Sequence, residues 1–299
     1  NNLFTLCHLI YTDTFYMKRK WIRWVSWILL TPIILFVILM VLLYVPPVQN
    51  LLRREVTAYA SKATGMQIQV ERIDLRFPLN LLVRGVEVIQ QPDTLLSLES
   101  LNVRVQAWPL IKGKVEVDEV TLSRVAVNSA DLMEGMKIKG VLGRFFLQSH
   151  GVDLSNELAV INQVELSDTH MQLLMNDTTT TPKDTTASAP INWKVALHQL
   201  KLKNVSFSMQ LPADSMRMTA HIGEAAINNA QADLKNQYYD LKKFLLSGTS
   251  ASYDTGTAQP AEGFDASHIA VRDIRIALDS LLYKGRDMNA VIREFTMNE

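Results

Sequence analysis

The sequence is nearly devoid of cysteine. Cys7 is the one cysteine among 299 residues, and it lies ahead of Met17, where Met17–Lys20 resembles a natural start. Residues 1–16 are therefore expected to be a mis-assigned start or a disordered cytoplasmic tail. The chain beyond them has neither disulfides nor thiolate metal sites to hold it together.

The sequence also lacks an excess of either charge. Thirty lysines and arginines balance thirty aspartates and glutamates. No net field attracts the phosphate backbone of a nucleic acid, so we expect no nucleic-acid partner.

Motifs for catalysis are missing as well. The six histidines are isolated, and the sequence has no HExxH pair, no Walker loop and no G-x-S-x-G elbow. His198 and the adjacent Asp118 and Glu119 each belong to a polar couple between apolar residues, which favours a solvated position over an acid–base role. We expect no enzyme, cofactor or metal site.

What the sequence does contain is a repeated spacing of apolar residues. It reads apolar–x–apolar–x–x–apolar–x–apolar, with a polar couple in the middle. Strict copies arise by chance about once in a chain that is half apolar. Copies lie at Val115, Val117, Val120 and Leu122; Ile68, Val70, Ile73 and Leu75; Leu96, Leu98, Leu101 and Val103; Leu81, Val83, Val86 and Val88; Val195, Leu197, Leu200 and Leu202; and Ile269, Val271, Ile274 and Ile276, with looser copies at 159–166, 220–227 and 290–297.

This spacing predicts bent β-strands with one apolar face. On a helix the four positions point in opposite directions. On a strand the polar couple sends the second pair to the other face, and a β-bulge that adds one residue to one strand brings it back. Repetition of such a unit predicts a mostly β, elongated, repeated β-groove.

The N-terminal region predicts a membrane anchor. Residues 25–44 run without a charge for about 20 residues, enough to cross a bilayer core of about 30 Å. Residues 17–24 are basic and carry tryptophans, which places the N-terminus in the cytoplasm. A cleaved signal peptide is the rival interpretation, but no small-x-small site follows the apolar run.

Residues 45–65 predict a short amphipathic helix. Pro46 and Pro47 suit its start and Gly65 its end. The helix either caps the open end of the β region, which we favour, or lies on the outer leaflet of the membrane.

From residue 66 to 299 the pattern is that of the β-repeat region, interrupted by loops and expected to be incomplete at its C-terminus. The threonine-rich segment 177–189 and the milder segment 250–263 are predicted to be solvated linkers. The glycines of Met133–Gly151 predict a mobile hairpin or loop. Asp233–Ser247 fits either a helix or, as we favour, a hairpin turning at Asn236 and Gln237.

A short motif of aspartate, a hydroxyl residue and then an apolar residue or threonine occurs several times. It resembles an O-glycosylation acceptor of certain Gram-negative periplasms. Turn-forming aspartates explain such short matches equally well. The matches begin at Asp93, Asp177, Asp184, Asp214 and Asp279.

The order of these features resembles the N-terminal part of the AsmA-like/TamB family of bacterial envelope proteins. The resemblance rests on the anchor at 25–44, the helix ending in Thr64-Gly65, the strand sequences 68–75 and 82–88, and the corner Trp108–Val115. The resemblance covers most of residues 17–128, whereas the remainder shares only the general pattern of the family. The region through which the family engages an outer-membrane barrel partner has no counterpart in the sequence.

The resemblance implies a single-pass inner-membrane protein with its bulk in the periplasm, a β-taco-like groove, and lipid transfer or outer-membrane protein assembly as its function. Phospholipid or another envelope lipid is the expected ligand, and an outer-membrane barrel is a possible partner. The alternative is a scaffold whose apolar face packs on itself, and a membrane-anchored hydrolase ranks third. The expected groove lining is Ile68, Val70, Ile73, Leu75, Leu98, Leu101, Val103, Val115, Val117, Val120, Leu122, Val195, Leu197, Leu200, Leu202, Ile269, Val271, Ile274 and Ile276.

Overall fold

The computed structural model describes residues 45–77, 79–90, 92–106, 108–109, 116–129, 135–153, 157–175, 192–256 and 265–298. The chain divides into two compact units, Asn1–Leu52 and Arg53–Glu299. The predicted tail, basic segment and anchor (residues 1–44), Val115 and the linker 177–189 lie outside the described residues. Within the described ranges, no helix combines the length and apolar character needed to cross a membrane.

The helix α1 runs from Pro46 to Thr64, as the sequence predicts. Prolines suit the first turn of a helix, where backbone N–H groups have no intrahelical partner. Gly65 follows with a φ of +70°, a left-handed conformation that commonly ends helices. The part of α1 from Arg53 onward belongs to the second unit and contacts the first strand through the side chains of Arg53 and Ser61.

Eleven strands follow α1 and form one sheet. The mostly β class predicted from the spacing is confirmed. The strands are β1 (Gln67–Arg76), β2 (Asn80–Gln90), β3 (Asp93–Val105), β4 (Val117–Asn128), β5 (Met136–Asp153), β6 (Leu158–Met175), β7 (Lys194–Leu211), β8 (Met216–Asp233), β9 (Tyr238–Asp254), β10 (His268–Lys284) and β11 (Asp287–Asn298).

The strand order in the sheet is the order in the chain. Every neighbouring pair is antiparallel except β6 and β7, which run parallel with Leu158 opposite Lys194 and Leu174 opposite Gln210. The parallel pair joins two antiparallel meanders, β1–β6 and β7–β11. Each strand thus pairs with the strands before and after it in sequence.

Three loop predictions meet different outcomes. The hairpin at Asn236 and Gln237 is confirmed, because β8 ends at Asp233 and β9 begins at Tyr238. The loop predicted at Met133–Gly151 is wrong from Met136 onward, where β5 begins. The predicted linker 250–263 is wrong at its start, because β9 continues to Asp254.

The glycines of β5 explain why its sequence was misleading. A Cβ on Gly143 would lie 2.7 Å from the Cβ of Asp168 and 3.0 Å from its carbonyl oxygen on β6. Real Cβ atoms do not approach other atoms this closely, so glycine at this position serves the pairing of two long strands. The glycine that suggests a loop is here a requirement of the sheet.

Few apolar side chains of the sheet are buried. Among the described residues they are Ile73, Leu95, Ala159, Ala225 and Ala277. Three of these are alanine, and most other apolar side chains on the strands are half-buried. The sheet is therefore held together chiefly by its backbone ladders and by contacts between neighbouring side chains on its surface.

Candidate apolar binding face

Cross-strand pairing assembles the apolar residues of the repeat into continuous rows. Residues directly opposite each other on paired strands project to the same face of a sheet. Row 1 contains one apolar residue from every strand: Leu75, Leu81, Val103, Val120, Leu147, Val164, Leu200, Ile227, Phe244, Leu278 and Ile292.

Row 2 lies two residues away from row 1 along β1–β10 and three residues away along β11, and it is equally complete. Because side chains alternate between faces, rows 1 and 2 share one face. Row 2 consists of Ile73, Val83, Leu101, Leu122, Phe145, Leu166, Leu202, Ala225, Leu246, Ile276 and Phe295.

Two further rows lie on the other side of the polar couples. Row 3 contains Val70, Val86, Leu98, Val125, Leu142, Thr169, Val205 and Ile222. Row 4 contains Ile68, Val88, Leu96, Val127, Gly140, Met171, Phe207, Ala220, Ala251 and Val271.

The longer strands β6–β11 extend the pattern at one end. Row 5 joins Ile161, Leu197, Ala230, Leu241, Leu281 and Ala290, and row 6 joins Ala159, Val195, Ala232, Tyr239, Tyr283 and Met288. The rings of Tyr239 and Tyr283 lie with their centroids 5.8 Å apart, which is within the usual range for aromatic pairs.

The described residues predicted to line a groove fall into these rows, with three exceptions. Val117 pairs with Val105 on β3, beyond the end of row 1. Ile269 pairs with Tyr253, one step beyond row 4. Ile274 lies opposite Thr249, where the register of β9 and β10 shifts.

Several row members were not predicted individually. Leu142, Phe145 and Leu147 on β5 fell within the expected loop. Their sequence nevertheless carries the same spacing, with Gly140 in the place of the first apolar residue. If glycine is allowed at an apolar position of the repeat, the spacing predicts β5 as a strand.

Rows 2 and 3 are separated by a line of skipped pairs that crosses the sheet from β1 to β9. We call this line the break. Its members on successive strands are Glu71, Gly85, Glu99, Arg124, Gly143, Asp168, Asn204, Gly223 and Gly248.

The break corrects the prediction of bulges in single strands. At Glu71, Gly85 and Glu99 both partners contribute an extra residue, so the register is the same on either side. His198 belongs to a second line of this kind, opposite Asn229. A one-strand bulge is present at Asp118, since Arg104 pairs with Glu119 and Val105 with Val117. Another lies at Arg272-Asp273, where β10 gains a residue against β9.

Left-handed residues recur along the break. Gly85, Arg124, Asp168, Asn204 and Gly248 have φ angles between +47° and +59°. A residue in this conformation within a strand interrupts the alternation of side chains, as in a bulge. That interruption is the condition under which Val83 and Val86, on either side of Gly85, share one face.

Polar contacts connect neighbouring members of the break. Arg124 forms an ion pair with Glu99. The Nδ2 of Asn204 donates a hydrogen bond to the Oδ1 of Asp168 at 2.7 Å. These contacts stabilise left-handed residues that cost about 1–2 kcal/mol each for side chains other than glycine.

The residues opposite the rows, on the other face, carry most of the ion pairs. Arg104 pairs with Glu119 at 2.9 Å, and Lys201 approaches Glu165 at 3.9 Å. Both pairs join neighbouring strands at positions adjacent in sequence to row 1 or row 2. The sheet thus has an apolar face and a face of mixed, balanced charge.

The apolar rows remain accessible in the second unit. Val127 in row 4 is 40% exposed and Met171 is 46% exposed, while most members of rows 1 and 2 are half-buried. A depression of about 450 Å³ lies at the ends of β6, β7 and β8, and most of its lining, including Leu158, Val160 and Lys194, belongs to the face opposite to row 6. Its volume lies in the range of small-molecule sites.

Candidate catalytic groups do not converge in the described part of the chain. His198 is exposed, and Asp118 and Glu119 both face Arg104, at 3.9 Å and 2.9 Å. No group of three or more histidine, cysteine, aspartate or glutamate side chains is arranged to hold a metal ion within the described ranges.

No protein-family model and no curated protein matches the sequence.

Proposed function

We propose that this chain is an inner-membrane-anchored protein whose periplasmic apolar face holds acyl chains of phospholipid or another envelope lipid. It would serve lipid transfer between membranes or the assembly of outer-membrane proteins. The observation that carries the proposal is the completeness of rows 1 and 2, which place an apolar side chain on every one of the eleven strands.

The geometry of the rows suits a flexible apolar chain. Neighbouring strands lie about 4.8 Å apart, so each row offers apolar contacts at regular intervals across the whole sheet. Burial of methylene groups against such a surface is favourable by about 0.8 kcal/mol each when it is complete. A row without polar members lets an acyl chain shift along it without meeting an unpaired polar group.

The polar groups of the sheet are separated from the apolar rows. The polar members of the break, among them the paired Arg124 and Glu99, follow one line across the sheet. The Arg104–Glu119 and Lys201–Glu165 pairs lie on the opposite face. Lipid headgroups would remain in water at the open side of the apolar face. No residue needs to react, and the mechanism is passive binding and release.

Two features of the sequence support the proposed location, with an anchor in the inner membrane and the sheet in the periplasm. The uncharged run at 25–44 follows four basic residues, and the resemblance to AsmA-like/TamB proteins covers the region around it. The β-groove, the anchor and the lipid ligand belong to the proposal together. The rival scaffold function needs the same face to be covered by other parts of the protein.

The test uses two adjacent residues of β4. Leu122 belongs to row 2, whereas Thr121 pairs with Asn102 and Phe146 on the opposite face. A photo-crosslinking amino acid is placed at either position in the full chain in cells, and adducts are analysed by mass spectrometry. We expect lipid adducts at 122 and few at 121. Equal labelling, or none at either position, contradicts lipid binding.

A matched pair of aspartate variants separates the groove from the scaffold. Leu122→Asp on an open face should reduce lipid adducts at a neighbouring row position while the thermal midpoint changes little. In a closed core it would bury an unpaired charge and lower stability by several kcal/mol. Thr121→Asp is the control, expected to change neither measurement.

A further inference from the structure

We propose that six methionines at one end of the apolar face form a site of reversible oxidation, and that sulfoxide formation there releases acyl chains from that end. The inference rests on the proposed lipid-binding function, whose regulation it describes. We call these residues the methionine cluster. Its members are Met136, Met171, Met175, Met209, Met216 and Met218.

The cluster lies where β5–β8 extend the apolar face beyond row 4. Side chains two residues apart along a strand project to one face, so two more rows continue it. Met171 belongs to row 4, and in row 8 Met136 lies opposite Met175 and Leu211 opposite Met216. Row 7, between them, contains Ile138, Leu173, Met209, Met218, Tyr253 and Ile269.

The register brings these methionines together around Met209. Met218 is its direct partner on β8, and Met216 lies two residues further along that strand. The two methionines of β6 flank Leu173, the partner of Met209 on the other side. Diagonal neighbours on paired strands are about 7–8 Å apart, which long side chains can span. The thioethers therefore form one contiguous patch.

The rest of the face is built from different residues. Rows 1 and 2 consist of leucine, isoleucine, valine, phenylalanine and alanine, and none of their members is methionine. Leucine and methionine replace each other readily where only apolar volume matters. Methionine differs from leucine in its flexibility and in its oxidisable sulfur. The sulfur is the property that lets a patch change its polarity without a change of sequence.

The methionine side chains are accessible to a small oxidant. Met171 is 46% exposed, and the five other members are half-buried. Hydrogen peroxide is little larger than water, so a half-buried side chain on an open face is within its reach.

The reaction is a two-electron oxidation of each sulfur by hydrogen peroxide. A lone pair of the thioether attacks one peroxide oxygen, an S–O bond forms and the O–O bond breaks. The other oxygen leaves as hydroxide and takes the proton of the S–OH group, so the products are methionine sulfoxide and water. Methionine sulfoxide reductases reverse the modification.

Oxidation changes what the cluster can bind. A sulfoxide is polar, and its oxygen is hydrated on an open face. An acyl chain that covers this oxygen removes the water without offering a hydrogen bond, which is unfavourable. Rows 1 and 2 have no sulfur, so we expect the oxidant to weaken lipid binding at the cluster and to leave it unchanged at row 2.

The test compares two positions of a photo-crosslinking amino acid, Leu173 within the cluster and Leu122 in row 2. Membranes that contain the full chain are treated with hydrogen peroxide, washed and irradiated, and mass spectrometry measures sulfoxides and lipid adducts. Adducts at 173 should fall by about threefold or more, while those at 122 stay constant. Methionine sulfoxide reductases with dithiothreitol should restore the adducts at 173.

Leucine variants assign the effect to the sulfurs. In a chain that combines Met171→Leu, Met209→Leu and Met218→Leu, the ratio of adducts at 173 after and before peroxide should stay near one. Met66→Leu is the control, because Met66 is half-buried but lies between α1 and β1. Its ratio should fall as in the unchanged sequence.

Several results would overturn this regulation. They are undiminished adducts at 173 once the cluster is oxidised, an equal fall at 122, an equal fall in the leucine variant, and a cluster that resists peroxide while Met66 is oxidised. An absence of lipid adducts at both positions before treatment would instead contradict the proposed function, and the regulation with it.

Discussion

Asn204 and Asp168 lie side by side on the two parallel strands, and both have left-handed backbones, with φ of +53° and +51°. The Nδ2 of Asn204 donates to the Oδ1 of Asp168 at 2.7 Å. Asparagine and aspartate tolerate this conformation better than other residues that have a Cβ. The pair therefore holds the break in register where the sheet changes from one meander to the next.

Replacing Asn204 tests this arrangement. Asn204→Ala loses the hydrogen bond and places alanine in a left-handed conformation, for an expected loss of about 2–3 kcal/mol. Asn204→Gly loses the hydrogen bond but tolerates the conformation, so its loss should be about 1 kcal/mol. Urea unfolding of the two variants measures the difference. Equal losses would show that the left-handed backbone carries no cost at this position.

Arg53→Ala should expose the edge of β1. The carbonyl oxygens of Val70 and Glu71 would lose the donor that now satisfies them, so strands of other molecules gain access. We expect concentration-dependent association, measured by light scattering. Arg54→Ala, at an exposed position on the same helix, is the control and should leave the scattering unchanged. Equal scattering by both variants would mean that Arg53 does not protect the edge.

The turn between β8 and β9 should respond to acid. The side-chain amide of Asn236 donates to the Oδ2 of Asp233 at 2.8 Å and lowers the pKa of Asp233 below its ordinary value, assisted by the backbone N–H of Asn236. The carboxylate form therefore stabilises the turn at pH values above the ordinary pKa of aspartate. This contribution is lost as the pH falls through the lowered pKa of the folded state.

Carbon-13 titration of the Asp233 carboxyl measures this effect directly. The midpoint should lie below that of aspartate in an unfolded peptide, and Asn236→Ala should move it upward. A midpoint that is unchanged in Asn236→Ala would assign no role to the amide.

The anchor predicts a defined topology. The basic residues of 17–24 should remain in the cytoplasm and residues from Pro46 onward should lie in the periplasm. Alkaline phosphatase fused after Gly65 should be active, and β-galactosidase fused at the same position should be inactive. The opposite pattern would contradict the anchor and the function proposed from it.

Spacing in the sequence predicts most of the fold, because the feature that decides it is local. Each strand carries its own apolar pairs, so β class, the helix at Pro46–Thr64 and the turn at Asn236 follow from a few neighbouring residues. The same holds for many members of rows 1 and 2, such as Leu101 and Leu200. Their lipid-binding role stays a prediction.

The parts that could not be predicted depend on the neighbouring strand. Whether the extra residue at Glu71 is a bulge or half of a matched pair is decided by Gly85 on β2. Gly143 looks like a loop residue until Asp168 is placed beside it. The parallel pairing of β6 and β7 likewise depends on two segments that are separated in sequence, and no local pattern predicts it.

That parallel pairing has a consequence for how much the chain can be shortened. Met175 and Lys194 lie at opposite ends of neighbouring strands, and a strand of 18 residues is about 55 Å long at about 3.3 Å per residue. The chain from 176 to 193 reaches about 65 Å at most. The length of this segment is therefore constrained. Removing more than a few residues would force β7 to slide along β6 or to reverse its direction, and every row beyond β6 would move with it.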